Sequence, residues 1–188
     1  MVALLIATAL FAAVPAGNVS AAVCASQADG NWNDGATWSG CSGAGGVPAA
    51  DDEITVNHAV AITADQPVGS LTIGAGGLVY FTTPATLTIS GASGVFAVDG
   101  GVFAPEILDD EGNPTSPPSG GTVAFSAGAQ QILTNGGWVD FWNLTKTASG
   151  TGQSLSFDPA VAGMGGVHII NNVTFTGADP NRLTLQST

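Results

Sequence analysis

The sequence predicts an all-β chain built of stacked strands, and three observations carry that expectation. A phrase recurs: Ser70-Leu71-Thr72-Ile73-Gly74 returns about sixteen residues later as Thr86-Leu87-Thr88-Ile89-Ser90-Gly91, each copy followed by glycine and a further apolar run. In both, Leu and Ile alternate with Ser and Thr, the period-two pattern of a strand with one buried face. Composition agrees, because 27 glycines and 10 prolines among 188 residues leave only 9% charged side chains, against roughly a quarter in an ordinary globular domain. Finally, no stretch after residue 20 keeps apolar residues at a three-to-four spacing, so no amphipathic helix is expected.

Taken in chain order, the first element is a leader. Val2 to Val14 is an apolar run too short to span a bilayer, and it passes through Pro15-Ala16-Gly17 into the small residues Val19-Ser20-Ala21-Ala22, the signature of a secretory signal peptide over residues 1–21. Val19 and Ala21 fit the small-x-small cleavage rule, with Ser20 and Ala22 nearly as good; the n-region lacks its usual Lys or Arg. Val23 stands where a lipidated cysteine would need a small residue before it, which argues against an anchor at Cys24.

Residues 22–50 are expected to form an N-terminal cap. In an exported chain the two cysteines, Cys24 and Cys41, are most simply a disulfide, and its loop holds Trp32 and Trp38. Closing a loop of this length contributes roughly 3 kcal/mol in the chain-entropy view. No CxxC metal or redox motif is present. The turn-rich Asp29-Gly30-Asn31-Trp32-Asn33-Asp34-Gly35 begins like a calcium loop, but Asp34 takes the glycine position and Gly40 that of the closing Glu. The tryptophans need an apolar surface, and the open end of a strand stack offers one.

Residues 51–188 are expected to be β-solenoid rungs. Fainter copies of the repeat occur at Gly121-Thr122-Val123-Ala124-Phe125, Ser154-Leu155-Ser156-Phe157, Asn172-Val173-Thr174-Phe175 and Arg182-Leu183-Thr184-Leu185. Strands of four to six residues alternate with Gly, Asn, Asp or Ser clusters and no crossover helix intervenes. Parallel rungs about 4.8 Å apart would share one core, giving on the order of six rungs at a period near twenty. A β-sandwich is the alternative, with Asn135-Gly136-Gly137, Asp99-Gly100-Gly101 and Gly76-Gly77 as hairpin turns. The acidic, proline-rich stretch within 105–120, containing Asp109-Asp110-Glu111, reads as a projecting loop that either stays solvated or holds Ca²⁺. The chain stops at Gln186-Ser187-Thr188, in or just after a strand, so the expectation is a segment of a longer protein.

Charge narrows the partners. A formal charge of −12 with only Lys146 and Arg182 as cations disfavours nucleic acid, anionic membranes and anionic polysaccharides. No nucleophile elbow, zinc-helix motif, P-loop or dinucleotide fingerprint occurs, and His58 and His168 are isolated. Asp99, Asp109, Asp110, Asp140 and Asp158 are the carboxylates available to a glycosidase, without a supporting motif. No catalytic residue, cofactor or metal site is assigned. Threonines in Leu71-Thr72-Ile73 and Leu87-Thr88-Ile89 could present a flat array to ice or chitin, and Trp138, Phe141 and Trp142 could stack on sugars or pack in the core.

The order Cys24, Trp32-Asn33, Ala36-Thr37-Trp38, Cys41, Gly46-Val47-Pro48, Asp51-Asp52, Ile54-Thr55-Val56 resembles the N-terminal region of bacterial autotransporter-like and filamentous-haemagglutinin-like surface proteins. Gly121 to Phe125, Ala129-Gln130-Gln131-Ile132 and Phe141-Trp142-Asn143-Leu144-Thr145 resemble their rung phrases. That resemblance implies a right-handed parallel β-helix displayed outside the cell for adhesion or matrix building, with surface glycans or proteins as partners, no nucleic acid and no membrane insertion. The expectation is therefore a secreted, non-catalytic structural or adhesive scaffold. The alternatives are a polysaccharide lyase or glycosidase, and a soluble glycan- or ice-binding module.

Overall fold

The computed structural model describes residues 21–107, 119–135, 138–148, 150–159, 166–177 and 184–187. The chain is all-β. After β1 (Val23–Ser26), β2 (Gly30–Asn31) and β3 (Trp38–Ser39) come three triplets: β4 (Glu53–Val56), β5 (Ala59–Ile62), β6 (Gln66–Val68); β7 (Ser70–Ile73), β8 (Leu78–Phe81), β9 (Thr86–Ile89); β10 (Val95–Val98), β11 (Val102–Ile107), β12 (Thr122–Phe125). They are followed by β13 (Ala129–Thr134), β14 (Trp138–Ala148), β15 (Ser154–Pro159), β16 (Gly166–Gly177) and β17 (Thr184–Ser187).

These strands form three sheets. The first runs β17-β15-β13-β10-β7-β4-β1-β3, the second β11-β8-β5-β2 and the third β16-β14-β12-β9-β6. Each triplet therefore places one strand in each sheet, in the same cyclic order. Every pairing between named strands is parallel except β1 with β3. No hairpin joins consecutive strands of a triplet; corners such as Asn57-His58 and Thr63-Ala64-Asp65, or the Gly-containing 74–77 and 99–101, carry the chain from sheet to sheet. At one corner Gly100 adopts φ 78°, a conformation that strains any residue with a Cβ.

Register aligns the apolar positions into columns. In the first sheet Ile54, Leu71, Phe96, Ile132 and Phe157 stand side by side, so successive circuits take 17, 25, 36 and 25 residues. The 36-residue circuit is the one that contains the acidic, proline-rich stretch. In the third sheet Leu87, Val123 and Leu144 form a second column. Phe81, Phe96, Phe103 and Phe141 meet inside, with ring centroids 5.0 to 6.0 Å apart. Gly121 makes room there, since a Cβ on it would lie 2.3 Å from the Phe81 ring.

The two copies of the recurring phrase do not stack on one another. Ser70–Ile73 lies in the first sheet between β4 and β10, while Thr86–Ile89 lies in the third between β6 and β12. Their likeness records a shared inside–outside pattern, which strands of any sheet need. Residues 22–50 also do more than cover the end, because β1 and β2 pair in parallel with β4 and β5.

Candidate functional site

The N-terminal end is fastened by a covalent and a polar latch. Cys24 and Cys41 form a disulfide with Cα atoms 4.5 Å apart. Beside it the buried Asp52 carboxylate accepts hydrogen bonds from Ser42 N (2.9 Å), Ser42 Oγ (2.5 Å), Ala49 N (2.9 Å) and Ala22 N (3.4 Å). Burial pushes the Asp52 carboxyl up, but the bonds from Ser42, Ala49 and Ala22 outweigh it and hold the group below its ordinary value. Asp52 Oδ and the two sulfurs lie within 4.8 Å of one another; the sulfurs are bonded to each other, so neither is a thiolate ligand. Trp32 and Trp38 fill the same end, edge to face at 4.9 Å, and Trp38 Nε1 donates to Trp32 O at 2.7 Å.

A second polar centre lies deeper. Period-two alternation puts Lys146 on the same side as Leu144, in line with Phe125, and the side chain is fully buried. Its ammonium donates to Ala127 O, Gly128 O (3.2 Å) and Gln130 Oε1 (2.6 Å), which uses all three N–H groups. Gln130 is buried too, and its Nε2 donates to Ile89 O at 2.7 Å and Gly91 O at 3.2 Å. Together these side chains tie the corner after β12 to the corner after β9. Burial pushes the lysine down to about 8. The alternation Leu144-Thr145-Lys146 was the sequence signal for this inward cation, and its conflict with the charge concealed it.

The other titratable and turn residues are dispersed. His58 Nδ1 lies 3.0 Å from Ser26 Oγ, and that buried hydroxyl also accepts from Asn57 N. His168 Nδ1 lies 3.2 Å from Asp140 on the exterior, and Asp99 accepts from Asn135. Asp109, Asp110 and Glu111 lie outside the described residues, as do the leader and the side chains of Asp158 and Trp138. Asp29, Asp34 and Asn33 accept hydrogen bonds from Ala59 N, Ala36 N and Gln66 Nε2 respectively, so the calcium-loop look-alike is occupied by structural bonds. Trp142 packs over Gly120 and Phe141 is buried in the core.

The exterior of the sheets carries ordered polar rows. On the third sheet register sets Thr86, Thr122, Asn143 and Asn172 in one outward row and Thr88, Ala124, Thr145 and Thr174 in the next. Both rows are uncharged. On the first sheet an open concavity of about 360 Å³ is lined by Glu53, Thr55, Ser70, Thr72 and Ser93 among others. Comparison of the chain with protein-family models, curated proteins and solved structures gives no match. Among the described residues no helix is long and apolar enough to cross a membrane. The disulfide is compatible with an oxidising compartment.

Proposed function

We propose that this chain is a right-handed parallel β-helix, a β-solenoid, serving as a secreted, non-catalytic structural or adhesive segment at a bacterial cell surface. The observation that carries the reading is the cyclic visiting order of three parallel sheets. A chain that returns in parallel to the same sheet after passing through two others is winding, and such crossovers are right-handed in about 98% of cases. The outward rows of Thr and Asn on the third sheet support this reading, as the positions where surface glycans or proteins would be met. The resemblance to autotransporter-like and filamentous-haemagglutinin-like proteins points the same way, as do the latched N-terminal end and the acidic charge.

The test is to immobilise the chain and measure retention of neighbouring or host cells and of a neutral and acidic glycan panel, with polysaccharide turnover assayed in parallel. Retention without turnover is the expected result. Release of reducing ends or unsaturated uronate from any polysaccharide would instead make it an enzyme of the β-helix type. One observation favours a second reading. The uncharged Thr and Asn rows of the third sheet repeat at about 4.8 Å across strands and about 6.6 Å along them, which suits a soluble module that binds a crystalline glycan or ice. Inhibition of ice recrystallisation, or pull-down with insoluble chitin, would select it over the scaffold.

A further inference from the structure

Among the described residues Cys24, Cys41 and Asp52 are the only three Cys, His, Asp or Glu side chains whose donor atoms converge, all within 4.8 Å of one another. In the oxidised chain the two sulfurs are bonded to each other. Reduction changes what the trio offers. It leaves two thiols beside a buried carboxylate that its hydrogen bonds keep ionised. Two sulfurs and one carboxylate oxygen suit zinc, whereas calcium and magnesium take oxygen alone. Cys24 is buried and Cys41 half-buried, so Cys41 is the sulfur that a reductant reaches.

The fold holds the third donor in place. Asp52 Oδ2 accepts from the backbone N–H groups of Ser42 and Ala49, each at 2.9 Å. Oδ1 accepts from the Ser42 hydroxyl, which can rotate, and from Ala22 N at a long 3.4 Å. That oxygen can turn a lone pair to a metal while the bonds to Oδ2 keep the carboxylate oriented, as partners behind a metal ligand commonly do. We infer that the reduced chain binds one zinc ion through Cys24 Sγ, Cys41 Sγ and Asp52 Oδ1, with water in the fourth position. A small dithiol reduces the Cys24–Cys41 bond and itself becomes a disulfide, leaving two thiols on the chain. Zinc then displaces both thiol protons as the two Zn–S bonds form. Reoxidation by an excess of the reagent's disulfide form rejoins the sulfurs and expels the ion. The cap is thus held by one of two mutually exclusive links, a disulfide or a metal.

The full chain, reduced with a dithiol and freed of it by desalting without oxygen, is titrated with Co²⁺ and then with Zn²⁺. One equivalent of Co²⁺ is expected to give thiolate-to-cobalt charge transfer and the strong visible bands of a tetrahedral site, and one equivalent of Zn²⁺ to bleach them. The oxidised chain should show neither. Zinc should also raise the urea midpoint of the reduced chain, because an ion held only by the folded state stabilises it. Asp52→Asn should weaken zinc binding by roughly tenfold or more, whereas the exposed neighbour variant Asp51→Asn should bind as the natural chain does. Absence of the charge-transfer band, or a urea midpoint of the reduced natural chain that zinc leaves unmoved, would overturn the inference. Equal zinc affinity in Asp52→Asn and Asp51→Asn would do the same.

Discussion

Several polar residues break the apolar pattern of this core, and two of them have a measurable consequence. Lys146 is a cation in an aliphatic and aromatic column, and burial lowers it from 10.5 to about 8. Between those values the unfolded chain binds the proton and the folded chain does not, so folding stability rises as pH climbs from about 8 to 10.5. The gain approaches about 3 kcal/mol. Chemical denaturation across that range should show the rise in the natural chain and lose it in Lys146→Met; a flat difference between the two would mean that the three carbonyl partners fully offset burial. Thr134 is the second exception. It stands in the inward column of Val56, Ile73 and Val98, buried, and its Oγ1 finds no partner among the described residues. Replacing the hydroxyl by a methyl in Thr134→Val should stabilise the fold by about 1 kcal/mol, read as a higher midpoint in urea with an unchanged slope.

At the scale of elements, residues 22–50 are expected to loosen before the rest of the chain. The disulfide spans 17 residues in sequence and lies against the carboxylate of Asp52, which fastens Ser42 and Ala49 by hydrogen bonds. Stacked units contact chiefly their neighbours. Reduction of Cys24–Cys41 is thus expected to speed amide exchange in β1 to β3 while β7 to β12 keep their protection; global loss of protection would show the cap to be the folding nucleus of the whole stack. Asp52→Asn should loosen the same elements. Because the folded carboxyl is held below 3.8, its contribution is full above that pH and fades as pH falls through the folded value, so acid should release the cap of the natural chain toward the behaviour of Asp52→Asn.

For the molecule as a whole, parallel ladders run along three sheets, interrupted by register shifts in β11 and β16. On the proposed reading, contacts with other molecules are expected on the outward Thr and Asn rows. Limited proteolysis is expected to leave β4 to β9, which pair in parallel within the three sheets, as one resistant fragment. Early cleavage within β4 to β9 would contradict the ladder order.

Much of this was legible in the chain. Alternation of Leu or Ile with Thr marked the strands, glycine clusters marked corners, and cysteine count and spacing marked the disulfide, because each is a local consequence of backbone geometry and chain length. Asp52 was legible only as one residue in the order that carries the resemblance, not as the acceptor that joins Ala22, Ser42 and Ala49. Tertiary structure alone decided which strands are neighbours. The two most similar phrases lie in different sheets, while Phe96 stacks on Leu71 from a strand with little likeness to it. Parallel pairing is made by backbone bonds, which do not depend on side-chain identity, and register follows corner length and the fit of the shared core. The inward placing of Lys146 was decided the same way: parity pointed it inside, and only the folded corner supplied the three oxygens that let a cation stay there.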